Sequence, residues 1–354
     1  MSVPRIAFAG VGFMGQVAHL RNYARRDDCE VVAIAEPRPE LARKVADAFG
    51  VHTIYADHRQ LLDDPNVDAV VASQPHLRNG HIAIPLLQAG KYVFTEKPMA
   101  GSLAEAELMQ VAAEQGGVQL MVGVMKRHDP AVLAARELLL GFYASGELGR
   151  LQRVRAHCWG GDWIQNAIPP ITTDETVPDD TAFAPHFAPW MDADQANQFQ
   201  NYTNIMAHTV NLVRYLYPQR LTVQTAVARA SQRLLHTVVM SSAEEVLVEL
   251  AGGGTRSHQW EEETHFYFER GWVKLFTPSP LNRQARGRVE VYHSEDSQSG
   301  ERREIIPPLG WAFQRQADHF VACVRDRQEP ISSGRDTIED MRVMEDIFLK
   351  MVLV

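Results

Sequence analysis

The sequence predicts an α/β Rossmann domain at the N-terminus, followed by an α+β domain built on a large, open-faced, mostly antiparallel sheet. Three observations carry this. Short apolar runs alternate with helical patterns along the first part of the chain, a glycine-rich turn directly follows the first of those runs, and past residue 220 strand-like segments succeed one another without helices between them. At 354 residues, 45% hydrophobic and 22% charged, the chain has a globular composition and is too long for one average domain.

The first domain is expected to span residues 1–125. Its strands are RIAFAG, EVVAIAE, DAVVASQP, KYVFTE and VQLMVGV, and helical patterns run between them over 13–26, 39–49, 77–89 and 102–115. Strands apolar on both faces and separated by helices belong to a parallel sheet that helices cover on both sides. The second domain, 126–354, opens with a helix over 129–142, and GELGR hands over to the strand LQRVRAHCW. Residues 160–200 are rich in Pro, Asp and aromatic residues without periodicity, which predicts a long irregular insertion of the kind that shapes binding sites. A helix over 202–216 follows, then strands in TVQTAVARAS, HTVVMSS, EEVLVELA, HQWEEETHFYFE, WVKLFT and RVEVYH, joined by turn signals such as the GGG of 252–254. Helical patterns over 311–327 and 335–350 close the chain, with apolar faces expected to pack back towards the first domain.

The formal net charge is -9 and no basic block exceeds a pair such as Arg25-Arg26, so the footprint of a nucleic-acid binder is absent and small-molecule partners are expected. Met1-Ser2-Val3-Pro4-Arg5 passes straight into a strand without a leader pattern, and no apolar run is long enough to span a bilayer; the expectation is a cytoplasmic protein with no membrane association. Cys29, Cys158 and Cys323 are far apart and suggest neither a disulfide nor a zinc site, and the acidic residues of 174–194 lack ligand spacing, so no metal is expected.

Gly10-Val11-Gly12-Phe13-Met14-Gly15 sits between a strand and a helical pattern, the context in which GxGxxG signifies dinucleotide binding. Gly10 permits the tight turn, Gly12 admits a pyrophosphate, Gly15 lets helix and strand pack closely, and the helix N-terminus offers N–H groups to phosphate. Phe13 and Met14 belong to the same cofactor loop. Glu36 ends the second strand about 20 residues later, where a carboxylate accepts the ribose hydroxyls of NAD. NAD is therefore favoured, with NADP left open because Arg38 could turn to a 2'-phosphate. Gln74, Pro75 and His76, just after the third expected strand, line the same groove. Glu96-Lys97-Pro98 stands at the carboxyl end of the fourth, which places Lys97 beside the nicotinamide as a cation able to hold or polarise a substrate hydroxyl.

These segments, together with QPHLRNGHIAIPLLQAGKYVFTEKPMA, VGVMKRHDP and QADHFVACVRDRQEPISSG, resemble the glucose-fructose oxidoreductase, inositol dehydrogenase and rhizopine-catabolism family, Gfo/Idh/MocA. The resemblance implies hydride transfer between nicotinamide and a carbon of a sugar, polyol or sugar derivative. It also implies oligomer contacts through the C-terminal sheet, giving a homodimer or homotetramer. Many members carry an Asp and, four positions on, a His on one helix; the matching residues here are Asn204 and His208, so the usual carboxylate is missing. Asn204 and His208 share a helix face, His208 can take a hydroxyl proton, Asn204 can bond a substrate hydroxyl, and Tyr202 is an alternative acid or base. Trp163, in the insertion, offers an aromatic face to a sugar ring. Two rival readings accompany this one: an NAD-dependent, redox-neutral glycosidase that oxidises, eliminates and reduces, and a non-catalytic nicotinamide-binding sensor or scaffold.

Overall fold

Arg5–Ala9 forms β1, and four of its five residues are buried, as a strand covered on both faces requires. The computed structural model describes residues 3–229, 235–296 and 298–354. After β1 the chain turns at Gly10 and coils into a π-helical stretch, Gly15–Leu20, continued by a single turn of α-helix, α1 (Arg21–Tyr23). The run continues through β2 (Glu30–Ala35), α2 (Pro39–Phe49), β3 (Thr53–Tyr55), β4 (Ala69–Ala72), α3 (Asn79–Gln88), β5 (Tyr92–Glu96), α4 (Leu103–Gly116) and β6 (Leu120–Gly123). These strands pair in the order β3-β2-β1-β4-β5-β6, all parallel. β3 lies outside the expected set because its three residues, at a sheet edge, are too few to show a period.

The remaining elements are α5 (Pro130–Ser145), β7 (Leu151–Gly160), α6 (Ala193–Leu216), β8 (Leu221–Ala228), β9 (His236–Ser242), β10 (Leu247–Gly254), β11 (Glu261–Phe268), β12 (Gly271–Phe276), β13 (Arg288–His293), β14 (Glu301–Ile305), α7 (Ala312–Asp326), α8 (Gly334–Leu349) and β15 (Met351–Leu353). A nine-stranded sheet runs β14-β13-β12-β11-β7-β10-β9-β8-β15, antiparallel except where β10 meets β7 and β15 meets β8. Along β11, Glu262, Thr264, Phe266 and Phe268 are buried, while Glu261, Glu263, His265 and Tyr267 alternate with them on the more open face.

Several expectations need correcting. The glycines of 252–254 do not form a turn; they extend β10 and pair with Cys158, Trp159 and Gly160. A Cβ on Gly252 would lie 2.6 Å from the Cys158 carbonyl oxygen, so glycine serves a close backbone approach there. α6 begins at Ala193 rather than 202, because its polar first turns carry no apolar period. β14, four charged residues in ERREI, shows no strand alternation. Residues 230 and 231, at the end of the expected TVQTAVARAS strand, lie outside the described residues.

The chain forms two units. One comprises the residues up to Val124, Ile168–Gln200 and Phe313–Met341; the other comprises Met125–Ala167, Asn201–Ala312 and Arg342–Val354. A plain division into 1–125 and 126–354 therefore misplaces most of the irregular insertion and nearly all of α7. In the first unit, the buried cluster that contains Ile6, Phe8, Leu20, Ile34 and Phe94 also takes in Ala317, Phe320, Val321 and Val324 of α7. Among the described residues no helix is long and apolar enough to cross a membrane.

Phe320 is 1% exposed and its ring meets Phe94 edge-on at 5.7 Å. Phe320→Ala is expected to cost the first unit about 3–5 kcal/mol, read by denaturant unfolding; a loss below about 1 kcal/mol would show that α7 is peripheral to this core.

Candidate cofactor and active site

Because β1, β2, β4 and β5 run parallel, the loops after them open on one edge of the sheet: Gly10–Gly15, Glu36–Arg38, Gln74–His76 and Glu96–Pro98. Gly10 has φ +87°, and a Cβ there would collide with the Gln74 side chain and the Ser73 carbonyl. Gln74 Nε2 donates to the Ala9 carbonyl at 3.0 Å, which ties the loop after β4 to the end of β1. A Cβ on Gly15 would stand 2.7 Å from the Gly10 carbonyl oxygen, whereas one on Gly12 would meet only Arg38, at 3.7 Å. The three glycines thus divide their work: one turns, one packs, and Gly12 leaves its surroundings open, as the approach of a pyrophosphate requires. Phe13 is exposed and Met14 half-buried in this loop.

Glu36 is 2% exposed. Its Oε2 accepts the Val11 N–H at 3.0 Å, and its Oε1 accepts Arg38 Nε at 2.7 Å and the Arg38 N–H at 3.3 Å. The carboxylate at the end of β2 is therefore fixed against the glycine loop. Arg38, which the sequence left able to turn to a phosphate, is engaged by Glu36.

At the end of β5, Asn79 holds the Glu96-Lys97-Pro98 turn from inside. Its Nδ2 donates to the Glu96 carbonyl at 2.7 Å and to the Pro98 carbonyl at 2.9 Å. His19 Nε2 donates to Glu96 Oε1 at 2.6 Å, and Glu96 Oε2 accepts the Lys97 N–H at 3.1 Å. Burial alone would raise the Glu96 carboxyl, but the His19 hydrogen bond and nearby charges hold it below the usual range. Lys97 is half-buried, and burial lowers its ammonium to about 8 against the opposing pull of Glu96. His76 is pushed down to about 4 by burial and by Lys97, and its Nε2 is buried without a hydrogen-bond partner, a group that a bound ligand could complete. Asn79 and His19 are positioning residues that the sequence does not single out: the first lies inside the QPHLRNGHIAIPLLQAGKYVFTEKPMA segment and the second in the helical pattern after the glycine loop. An Asn with no exposure at the start of α3 leaves no local signal, since its partners are in the next loop.

In the second unit, α6 presents Asn204 exposed and His208 half-buried, one turn apart. Tyr202 does not belong with them. It is 2% exposed, packs against His236 and Phe348, and burial drives its hydroxyl far above the usual phenol range, so it is a core residue rather than an acid or base. The signal was available, since Tyr202, Met206 and Val213 form a buried stripe that excludes Asn204. Further along α6, Asn211 Oδ1 accepts Arg127 Nε at 2.9 Å in a buried contact. Trp163 is exposed, with its carbonyl bonded by Ser279. Lys126 and Glu262 form a buried ion pair in this unit that the sequence did not foretell. His157, Glu261 and Glu263 bring ligand-type atoms within 4.8 Å of one another on the same sheet, and His157 already bonds Glu261 at 3.1 Å.

Residues 4–124 match the family model described as oxidoreductase family, NAD-binding Rossmann fold. Along almost its whole length the chain is similar to the D-apiose dehydrogenase of Paraburkholderia graminis, 24% identical over 360 residues that cover 97% of this chain and 86% of that protein. The myo-inositol 2-dehydrogenase of Thermotoga maritima is 33% identical over 125 residues, 35% of this chain and 37% of that one. A variant of a 3-ketoreductase from Actinomadura kijaniata, solved in complex with TDP-benzene and NADP, superposes with a TM-score of 0.77 over 100% of this chain and 99% of that one at 16% identity, a likeness in fold. Sheet order, glycine loop and acidic strand end define a Rossmann dinucleotide-binding unit, and the family model with the dehydrogenase relatives makes the protein an NAD(P)-dependent oxidoreductase. The chain is similar to the Gfo/Idh/MocA oxidoreductases, by the family model over residues 4–124 and by its dehydrogenase relatives.

The different surroundings of Gly12 and Gly15 separate binding from folding. Gly12→Ala is expected to leave the melting temperature nearly unchanged while weakening NAD+ binding, by calorimetric titration, about tenfold or more. Gly15→Ala should lower the melting temperature, because the β1 turn must move. Equal thermal losses in both would contradict the assigned roles.

Proposed function

We propose that the protein oxidises a hydroxyl-bearing carbon of a sugar, polyol or sugar derivative, or reduces the corresponding carbonyl, with NAD as the preferred cofactor. The observation that carries this reading is Lys97, held at the carboxyl end of β5 on the edge that bears the glycine loop, and brought to about 8 by burial. When bound, the nicotinamide supplies the hydride acceptor or donor. Lys97, still largely cationic at neutral pH, polarises the substrate oxygen and stabilises alkoxide character as the carbon loses its hydride. His208 takes the hydroxyl proton, so that hydride and proton leave together and a carbonyl remains. Asn204 bonds a neighbouring hydroxyl, and Trp163 offers its face to the sugar ring.

The names of the relatives support the substrate class: one is a dehydrogenase of D-apiose and another of myo-inositol. The half-exposed face of the nine-stranded sheet is the surface we assign to a homodimer or homotetramer. Asn204, where many family members carry an acid, favours one second reading, the redox-neutral glycosidase.

A screen of sugars, polyols, sugar acids and aryl glycosides with NAD+ and NADP+ should yield reduced nicotinamide with one class of sugar or polyol. Aglycone release without that accumulation would establish the glycosidase instead. Lys97→Ala should lower kcat/KM by roughly a hundred- to ten-thousandfold; turnover equal to wild type would refute the role.

The pH dependence has a definite sign. A lysine with its pKa lowered to about 8 is charged below that pH and loses its proton above it. If the cation assists oxidation, kcat/KM falls as pH rises through about 8, and Lys97→Arg removes that limb. A limb that persists in the Arg variant would assign it to another group.

A further inference from the structure

Residues 169–175, part of the irregular insertion, lie against the first helices of the Rossmann unit. Arg21 Nη2 donates to the Pro169 carbonyl at 3.3 Å. Gln16, 1% exposed, grips Ile171 with both ends of its amide: Nε2 donates to the Ile171 carbonyl at 3.0 Å, and Oε1 accepts the Ile171 N–H at 2.8 Å. Ile171 packs against the buried core cluster. These anchors fix the position of Glu175, four residues further on.

The Glu175 carboxylate accepts the N–H of Glu40 on Oε1 and that of Leu41 on Oε2, each at 2.9 Å, and Thr173 Oγ1 donates to Oε2 at 3.0 Å. The two N–H groups are the first that α2 can offer, because the helix opens with Pro39 and its N-cap, Arg38, supplies no side-chain cap. In a Rossmann domain the turn after the second strand receives the ribose end of the dinucleotide, and an arginine there accommodates the 2'-phosphate of NADP. Here Arg38 is hydrogen-bonded to Glu36 and also feels the charge of Glu175, so two carboxylates surround one guanidinium. Burial would raise the Glu175 carboxyl, but the Glu40 and Leu41 N–H groups keep it below the usual range and hence ionised at neutral pH.

We propose that Glu175 is a cofactor-specificity residue: its carboxylate fills the anion-binding start of α2 and repels the 2'-phosphate of NADP, so that NAD is selected. The inference rests on the nicotinamide-dependent reading above and deepens it by giving part of the cofactor choice to the insertion. A dianionic 2'-phosphate must displace the strap or meet uncompensated negative charge, whereas the 2'-hydroxyl of NAD meets neither penalty.

The test is calorimetric titration of the full-length protein with NAD+ and with NADP+, for wild type, Glu175→Gln, Glu175→Ala and the double variant Glu175→Gln/Arg38→Ala. Wild type should prefer NAD+. The ratio of the NADP+ Kd to the NAD+ Kd should fall about tenfold or more in both single variants, as a like charge leaves the anion site, and the double variant should recover much of the wild-type ratio. An unchanged ratio with only a lowered melting temperature would make Glu175 a mere helix cap and overturn the inference, leaving the cofactor reading intact. Equal affinity of wild type for the two dinucleotides would also overturn it. Binding of neither would refute the functional reading, and the inference with it.

Discussion

β1 lies between β2 and β4, and the chain reaches those neighbours from opposite directions. The chain runs outward from β1 through β2 to β3, then back across to β4 and outward again through β5 to β6, and crossovers between parallel strands are right-handed as a rule. The helices of the two halves consequently cover opposite faces, and the loops after β1 and β4 diverge at the carboxyl edge. The crevice between them is where open α/β sheets bind their ligands. The Gln74 bond to the Ala9 carbonyl is made at this divergence, and the turn of Gly10 is shaped around it.

Charge in this crevice is placed by backbone and buried neighbours. Glu36 is held by the Val11 N–H and by Arg38, and Glu96 by His19 and the Lys97 N–H. At Glu96 such bonds favour the ionised carboxylate and offset the penalty of burial, so that strand end keeps a fixed negative group. Lys97 stands beside it, and burial outweighs the pull of Glu96 and lowers the ammonium to about 8, which suits a group meant to respond to a developing negative charge.

Features set by local pattern were legible in the sequence. The long parallel strands, the glycine loop, Glu36 and Lys97 could be placed because a two-faced apolar run followed by glycine or by Lys-Pro has few structural meanings. What depends on partners distant in the chain was not legible. α7 joins the first core through Phe320 and Val321, far from β1 in sequence. His19 is separated from Glu96 by 77 positions, and nothing around either residue advertises the pair. The glycines of 252–254 misled because a turn and a close strand approach call for the same residue, and only the register with β7 distinguishes them. Tyr202 misled differently: proximity to His208 in sequence outweighed the buried stripe on which it lies.

The strap from Pro169 to Glu175 also bears on how cofactor choice evolves and is diagnosed. An insertion exposed along much of its length is free to vary as substrates change, yet here the same segment ends in a carboxylate at the start of α2. Replacing the loop to admit a new sugar would then carry a redox consequence, shifting the enzyme between the catabolic and biosynthetic nicotinamide pools. A fingerprint that inspects only the end of the second strand sees Glu36 and Arg38, and not the second carboxylate that the fold brings towards Arg38.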